Sequence, residues 1–162
     1  MRIICCVCLA ALTACGYGHQ QLYPEDVATV HVPIFENRSF YQGVERELTE
    51  ALINEIELRT PYKAVSRQQA DTVLDGTITS VDQGRLSRGR KGGLPQELEM
   101  RIRVNFEWQN VRTERTLRER RGFTAVGRYI PARAVGEPYQ IAQHEAVQRL
   151  ARDIVAVMAA PW

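Results

Sequence analysis

The clearest pattern in this chain is a strict alternation of apolar and polar residues between residues 97 and 108. Every second position is apolar, and these positions are Leu98, Met100, Ile102, Val104, Phe106 and Trp108. An alternation of period two predicts a β-strand with one buried face. Burial of a large apolar side chain contributes about 1.5–3 kcal/mol, so six of them supply on the order of 10 kcal/mol. We therefore expect this strand at the centre of a sheet.

Two other stretches repeat apolar residues at helical spacing. After a possible capping box formed by Ser39 and Gln42, a first helix is predicted to end at Thr60 and Pro61. Its apolar positions are Val44, Leu48, Ala51, Leu52 and Ile56. A second helix is predicted to start near Pro138. Its apolar positions are Ile141, Val147, Leu150, Ala151, Ile154 and Met158. Each helix is expected to cover apolar surface on one side only.

Three further segments are predicted to be strands. The first is 27–35, where Pro33 marks an edge or a strand end. The second is 72–81, followed by a Gly-rich loop over 83–96, and the third is 116–126, with a β-bulge near Gly122. The order β-α-β-β-β-α predicts an α+β fold in a single domain, 27–162. We expect a two-layer sandwich of a mostly antiparallel four-stranded sheet with two helices on one face.

The amino-terminal residues have the layout of a secretory signal. Arg2 precedes an apolar run of 12 residues, 3–14, whereas a transmembrane helix needs about 20. The segment Leu12-Thr13-Ala14-Cys15 resembles the lipobox of bacterial lipoproteins, where a peptidase cuts before a lipid-modified cysteine. The alternative is an ordinary cleavage site with an incidental cysteine. We predict a signal peptide over 1–14, acylation of Cys15 and a tether over 15–26.

Cysteine usage agrees with that interpretation. All 4 cysteines lie within the first 15 residues, so cleavage would remove three and acylation would use the thiol of Cys15. A body without thiols or disulfides suits an oxidising periplasm. Acyl chains would hold the protein at the membrane. Gly16 follows the cysteine where an aspartate would favour retention, so by analogy we expect the periplasmic side of the outer membrane.

Charge and polar motifs give little indication of an enzyme. A formal net charge of +2 does not predict a nucleic-acid partner. His19, His31 and His144 stand alone, without neighbours at metal-ligand spacing, so we predict no metal or cofactor. Three aspartates flank strands and are expected to be turn and edge residues: Asp71, Asp75 and Asp82. No nucleophile motif is visible, and we predict that the protein is not an enzyme.

Basic residues are concentrated in two places. The first group lies in the Gly-rich loop and consists of Arg85, Arg88, Arg90 and Lys91. It could bind an anion such as a phosphorylated lipid headgroup, or it could be a solvated loop. The second group lies along the last strand and consists of Arg115, Arg118, Arg120 and Arg121. We expect it to form a solvated sheet face paired with Glu97, Glu99 and Glu107.

A family resemblance rests on three short segments. The sequence VPIFENRS over 32–39, the helical stretch 43–60 and the Ala70-Asp71 pair before Leu74-Asp75-Gly76 resemble the LptE family of lipopolysaccharide-assembly lipoproteins. The resemblance implies a non-enzymatic outer-membrane lipoprotein that partners and plugs a large β-barrel, the LptD translocon, and contacts lipopolysaccharide. It also implies that basic residues of the plug touch lipopolysaccharide phosphates. The loop is divergent, so Arg85, Arg88, Arg90 and Lys91 are nominated on local chemistry alone.

Two other classes of protein remain open. A lipid-anchored, periplasm-facing scaffold would bind another envelope protein and no barrel. A lipid-anchored hydrolase would need a nucleophile and a base that converge in a pocket, and the sequence does not provide them visibly.

Overall fold

A computed structural model of the chain describes residues 27–85, 98–129 and 138–159. Its strands are β1 (Thr29–His31), β2 (Glu36–Asn37), β3 (Lys63–Ala64), β4 (Thr72–Arg85), β5 (Leu98–Asn110) and β6 (Thr116–Tyr129). Its helices are α1 (Val44–Arg59) and α2 (Pro138–Met158), with a 3-10 turn at Arg67–Gln69. The predicted signal peptide, the lipidation site Cys15 and the tether lie outside the described residues.

The strands form one mixed sheet in the order β3-β1-β4-β5-β6, with β2 also paired to β4. The three long strands β4, β5 and β6 are an antiparallel meander. The short strands β1 and β2 run parallel to β4. The predicted α+β class is confirmed, but the sheet has six strands and is mixed. β4 is the central strand, because it pairs with β5 on one side and with β1 and β2 on the other. The sequence predicted β5 as the central strand.

The alternation along β5 produces the buried face that the sequence predicts. Met100, Ile102, Val104, Phe106 and Trp108 are all buried and belong to one apolar core with the helices. The Trp108 ring lies 5.5 Å from that of Tyr62, and the Phe106 ring meets Phe123 edge-on at 5.5 Å. Contacts of this kind add to the stabilisation from burial alone.

The first predicted strand is interrupted in the structure. β1 ends at His31 and β2 resumes at Glu36, so the single strand predicted over 27–35 is partly wrong. His31 pairs with Val73 and Glu36 with Thr77, which leaves one extra residue on this edge. The interruption coincides with Pro33, which has no N–H to donate to a ladder.

The interruption also sends two neighbouring side chains in opposite directions. Ile34 is 65% exposed, whereas Phe35 is 2% exposed and lies in the core. The Phe35 ring occupies the space above Gly76, where an added Cβ would lie 2.1 Å from Cε2. Glycine at 76 therefore allows the edge segment to pack against β4.

Helix α1 buries the predicted face, but its start differs from the prediction. Val44, Leu48, Ala51, Leu52 and Ile56 are all buried. The capping box predicted at Ser39 and Gln42 is wrong, because the N-cap is Gly43 in the left-handed region, with φ 90°. The Gly43 N–H donates to the Glu45 carboxylate at 3.0 Å, and the N-cap glycine has no side chain to bond to the first turn.

Helix α2 begins at Pro138 as predicted, but it faces the sheet through smaller residues than expected. Ala142, Ala146, Val147 and Leu150 are buried, whereas Ile141 is 55% exposed, so its predicted burial is wrong. A Cβ at Gly127 of β6 would lie 2.1 Å from the Ala142 carbonyl oxygen. This close approach favours alanines at the contact and leaves Ile141 on the flank of the helix.

The predicted bulge in β6 is present. Gly122 has φ 64°, and the register with β5 shifts between the partners of Val104 and Phe106. A left-handed conformation of this kind favours glycine.

Candidate interaction surface

The segment 32–43 contains β2 and the tightly hydrogen-bonded turn that connects β2 to α1. Asn37 Nδ2 donates to the Tyr41 carbonyl and to a Glu45 carboxylate oxygen, both at 2.7 Å. Asn37 Oδ1 accepts from the backbone N–H of Ser39 at 2.8 Å and from its hydroxyl at 2.7 Å. Hydrogen bonding lowers the pKa of Glu45: first the bond to its own backbone N–H, then those from Asn37 and Gly43. Asn37 thus fixes the path by which the chain leaves the sheet.

Two large apolar side chains project from this segment, one before β2 and one after it. Phe40 is fully exposed and Ile34 is mostly exposed. The Arg38 guanidinium donates two hydrogen bonds of 3.0 Å to the Glu36 carboxylate. That hydrogen bonding lowers the pKa of Glu36 and keeps the carboxylate charged. Ile34 and this ion pair line the same groove, and exposed apolar surface rimmed by polar groups marks candidate protein–protein contact sites.

A groove of about 540 Å³ adjoins Ile34 and spans the edge segment and the three long strands. Its walls combine four carboxylates and three arginines with a few neutral residues. The carboxylates are Glu36, Asp75, Glu107 and Glu119, and the arginines are Arg38, Arg120 and Arg121. Such a mixed lining suits a polar protein surface better than an apolar small molecule.

Three of these carboxylates form a row across the meander. Asp75 lies opposite Glu107, and Glu107 lies opposite Glu119. Like charges at directly opposed positions destabilise a sheet. The Thr116 hydroxyl donates to Glu107 at 2.5 Å, and Arg121 pairs with Glu119 at 2.7 Å, which partly compensates this repulsion.

The predicted anion site is only partly within the described residues. Arg85 ends β4 and pairs with Leu98 at the last position of the β4–β5 ladder. Arg88, Arg90 and Lys91 lie outside the described residues. Next to this end of the sheet, Glu99 is nearly buried and pairs with Arg101 at 2.6 Å.

The second basic group lies along β6 on solvent-accessible positions, as predicted, but its ion pairing differs. The Arg121 partner is Glu119 of the same strand, and the Glu99 partner is Arg101 of the same strand. The prediction that Arg121 and Glu99 form ion pairs across strands is therefore wrong. Arg118 and Arg120 each donate to the carbonyl of the preceding residue at 2.9 Å. Glu97 lies outside the described residues.

Three of the titratable residues weighed in the sequence, Asp71, His31 and His144, have structural contacts. Asp71 accepts from the Thr29 hydroxyl at 2.8 Å and from the N–H groups of Ala28 and Thr29. His31 Nδ1 lies 3.0 Å from the Val65 carbonyl oxygen, and His144 Nδ1 lies 2.8 Å from Glu47. Over 27–85, 98–129 and 138–159 there is no group of three metal-ligating side chains. His19 lies outside these ranges.

Sequence reasoning missed the apolar side chains of this surface. Ile34 belongs to a run that reads as a buried strand, and Phe40 was not assigned a role. Pro33 was the one signal that the strand stops before Phe35. Neither helix in the described part of the chain has the length and apolar character needed to cross a bilayer.

Comparison with known proteins identifies both a family and a fold. The model of the LptE family, described as lipopolysaccharide-assembly, matches residues 27–158. Among proteins with curated functions, none matches. A Chlamydia trachomatis protein shares 12% identity, with 82% of this chain and 96% of that one covered at a TM-score of 0.52.

Two further solved structures are similar at low sequence identity. A Xanthomonas campestris protein is 12% identical over 85% of this chain and 86% of its own, with a TM-score of 0.50. A Caulobacter crescentus lipoprotein is 20% identical over 77% of this chain and 87% of its own, with a TM-score of 0.49. At their identities, the similarity to the Chlamydia trachomatis and Xanthomonas campestris structures shows a shared fold and nothing more.

Proposed function

Because this chain belongs to the LptE family of lipopolysaccharide-assembly proteins, we propose that it is a non-enzymatic outer-membrane lipoprotein. In this proposal, it partners the LptD β-barrel, occupies the barrel lumen as a plug and assists lipopolysaccharide assembly. Cys15 carries the acyl chains and holds the domain on the periplasmic side of the outer membrane. The observation that carries the proposal is the family match across the whole described domain.

The dimensions of the domain are compatible with a plug. Strands of 13 or 14 residues are about 45 Å long at ~3.3 Å per residue. Five adjacent strands at about 4.8 Å, covered by one helix layer about 10 Å away, give a cross-section of roughly 25 Å by 20 Å before side chains. A barrel of about 26 strands is roughly 50 Å across between backbones. The domain therefore fits such a lumen with its strands along the barrel axis.

The surface chemistry also suits this location. The interiors of outer-membrane barrels are polar. Charged and neutral polar side chains cover the sheet face away from the helices, with Arg103, Asn105 and Glu107 on β5 as examples. A polar face of this kind can contact the lumen wall without burying large apolar surface.

Gentle detergent extraction of tagged protein from outer membranes tests the partnership. We expect one stoichiometric, heat-modifiable barrel in the eluate and no porin, because the narrower porin lumen would exclude the domain. Recovery of the lipoprotein alone, or with a soluble envelope protein, would refute the barrel partnership.

We extend the proposal to the β4–β5 connection, where Arg85, Arg88, Arg90 and Lys91 would bind lipopolysaccharide phosphates. Arginine offers bidentate hydrogen bonds to phosphate. Reversal of all four charges to glutamate should weaken binding to immobilised lipopolysaccharide. A matched control reverses four exposed basic residues elsewhere, namely Arg46, Lys63, Arg67 and Arg112. Equal lipopolysaccharide binding by the loop variant and the control variant would show that these four loop residues do not form the binding site.

Mass spectrometry of the membrane-extracted protein tests acylation. We expect a mature chain that starts at Cys15 and carries acyl chains, and an unmodified soluble chain for Cys15→Ser. An unmodified Cys15 in the membrane fraction would contradict the anchor.

A further inference from the structure

β6 forms the long outer edge of the sheet. The strand order ends at β6 on one side and at the two-residue strand β3 on the other. An edge strand presents N–H and C=O groups that can pair with a strand of another chain. At 14 residues, β6 is long enough for such pairing. Whether another strand can add to it depends on whether its outward N–H and C=O groups already have hydrogen-bond partners.

Side chains of β6 occupy outward carbonyls at its start. On β6, Arg118 and Arg120 lie opposite Trp108 and Phe106, and Glu119 between them lies opposite Glu107. In an antiparallel pair, alternate residues direct their N–H and C=O groups away from the partner strand. We assign Leu117 and Glu119 to this outward set because side chains occupy their carbonyls. Arg118 Nη1 donates to the Leu117 carbonyl and Arg120 Nη1 to the Glu119 carbonyl, each at 2.9 Å. Two outward acceptors are therefore already satisfied within the strand.

A carboxylate from α2 occupies an outward donor at the other end of β6. The Arg128 N–H donates to Glu145 Oε2 at 2.8 Å instead of to β5. Glu145 Oε1 accepts from Arg149 at 2.8 Å, one turn further along α2. The ion pair holds the Glu145 carboxylate beside the strand, and any incoming strand would have to displace it.

Between these ends the edge is bent. Gly122 sits in the bulge with φ 64°, and the Thr124 hydroxyl donates to the Gly122 carbonyl at 3.0 Å. A bulge locally increases the twist of the strand. The twist interrupts the straight run of groups that a partner strand would need.

We infer that Arg118, Arg120 and Glu145 close the β6 edge against strand addition by a second copy of this chain. We name these three residues the edge caps. Charged side chains on the edge strand and a bulge are ways in which natural sheets protect their edges. Two β6 edges paired about a two-fold axis near Glu119 would place Arg118 of one copy opposite Arg120 of the other, so the arginines also oppose that register by charge. This inference does not depend on the proposed function.

An open-edge variant, Arg118→Ala/Arg120→Ala/Glu145→Ala, tests the closure in the full chain with Cys15→Ser to prevent acylation. The control is Arg46→Ala/Arg67→Ala/Glu50→Ala, which removes the same charges from exposed positions on α1 and the following turn. Analytical ultracentrifugation measures self-association. We expect the open-edge variant to associate at least about tenfold more tightly than the wild type or the control.

Amide hydrogen exchange identifies the surface that associates. In the associated open-edge variant, the outward amides of Thr124 and Val126 should become protected, whereas in the wild type they exchange rapidly. Sedimentation identical to the wild type, or association without protection of these amides, would overturn the inference.

A second variant covers the case in which the triple variant does not fold. Arg118→Thr/Arg120→Thr keeps Glu145 and introduces residues that favour strands. In this variant, hydrogen exchange of the Leu117 and Glu119 amides is measured. Tighter association with protection of these amides supports the inference, and wild-type sedimentation or association without protection overturns it.

Discussion

Replacement of Gly76 by alanine should destabilise this fold far more than a glycine-to-alanine change normally does. The new Cβ would lie 2.1 Å from Phe35 Cε2 and 2.6 Å from two other ring atoms. Carbon atoms pack best at about 3.5–4.0 Å, so the ring must retreat by roughly 1.5 Å. Phe35 is buried in the core, and its retreat would displace neighbours or open the edge segment.

The magnitude follows from two limits. Overpacking a core usually costs about 1–3 kcal/mol. Complete loss of a buried phenylalanine costs about 3–5 kcal/mol. We expect the free energy of unfolding to fall by about 3 kcal/mol, between these limits. For a domain of this size that corresponds to a decrease in Tm of roughly 6–12 °C.

Urea denaturation followed by tryptophan fluorescence and far-UV circular dichroism measures the change. Gly84→Ala is the matched control, because Gly84 lies on the same strand and an added Cβ there meets no atom within 4 Å. Its effect should be within about 1 kcal/mol of zero. A Gly76→Ala protein as stable as Gly84→Ala would refute the steric argument.

A double-mutant cycle tests the identity of the contact. In a Phe35→Ala background the ring is absent, so Gly76→Ala should cost less than about 1 kcal/mol. An undiminished cost in that background would assign the strain to another neighbour.

Two other changes have defined outcomes. Asp71→Asn should weaken the link between β1 and β4. The hydrogen bond from the Thr29 hydroxyl, followed by those from nearby N–H groups, lowers the pKa of Asp71 below its ordinary value of 3.8. The stabilisation by the charged carboxylate is therefore present above pH 3.8 and is lost as the pH falls through the pKa of the folded state. The wild type should therefore lose unfolding free energy more steeply than Asp71→Asn below about pH 4 in acid titrations, and equal slopes would contradict this. Gly127→Ala should loosen α2 from β6, because its Cβ would lie 2.1 Å from the Ala142 carbonyl oxygen and 2.6 Å from the Ala146 nitrogen. Hydrogen exchange should accelerate in α2 more than in α1, and uniform acceleration would count against a local cause.

The sequence predicted those parts of the fold that depend on local patterns. Strict alternation located β5, the 3.6-residue period located the buried face of α1, and the break in alternation over 120–122 located the bulge. When one side of a helix or strand is buried, apolar residues recur along the sequence with the period of that element. The same patterns could not show that β1 runs parallel to β4, because strand pairing depends on residues far apart in the chain.

Errors arose where a contact between elements decides the local outcome. Ile141 has helical spacing, but the close approach of α2 to Gly127 leaves it on the flank. Ser39 and Gln42 fit a capping box, but Asn37 engages Ser39 and the helix starts later, with Gly43 as its N-cap. At the candidate surface, the basic residues of the Gly-rich loop can be found in the sequence alone. The exposure of Ile34 cannot, because it depends on where β1 ends.

The split amino-terminal edge has a consequence for folding kinetics. Thr29 and Thr72 are in contact although they are 43 residues apart, whereas Thr116 and Glu107 are 9 apart. Closing the longer loop costs more entropy, so we expect the meander to form first and β1 to dock last. Pulse-labelled hydrogen exchange should then protect β6 amides before those of β1. The first segment of the domain to be synthesised is thus the last to be placed, and until it docks the open edge of β4 is the site most prone to aggregation.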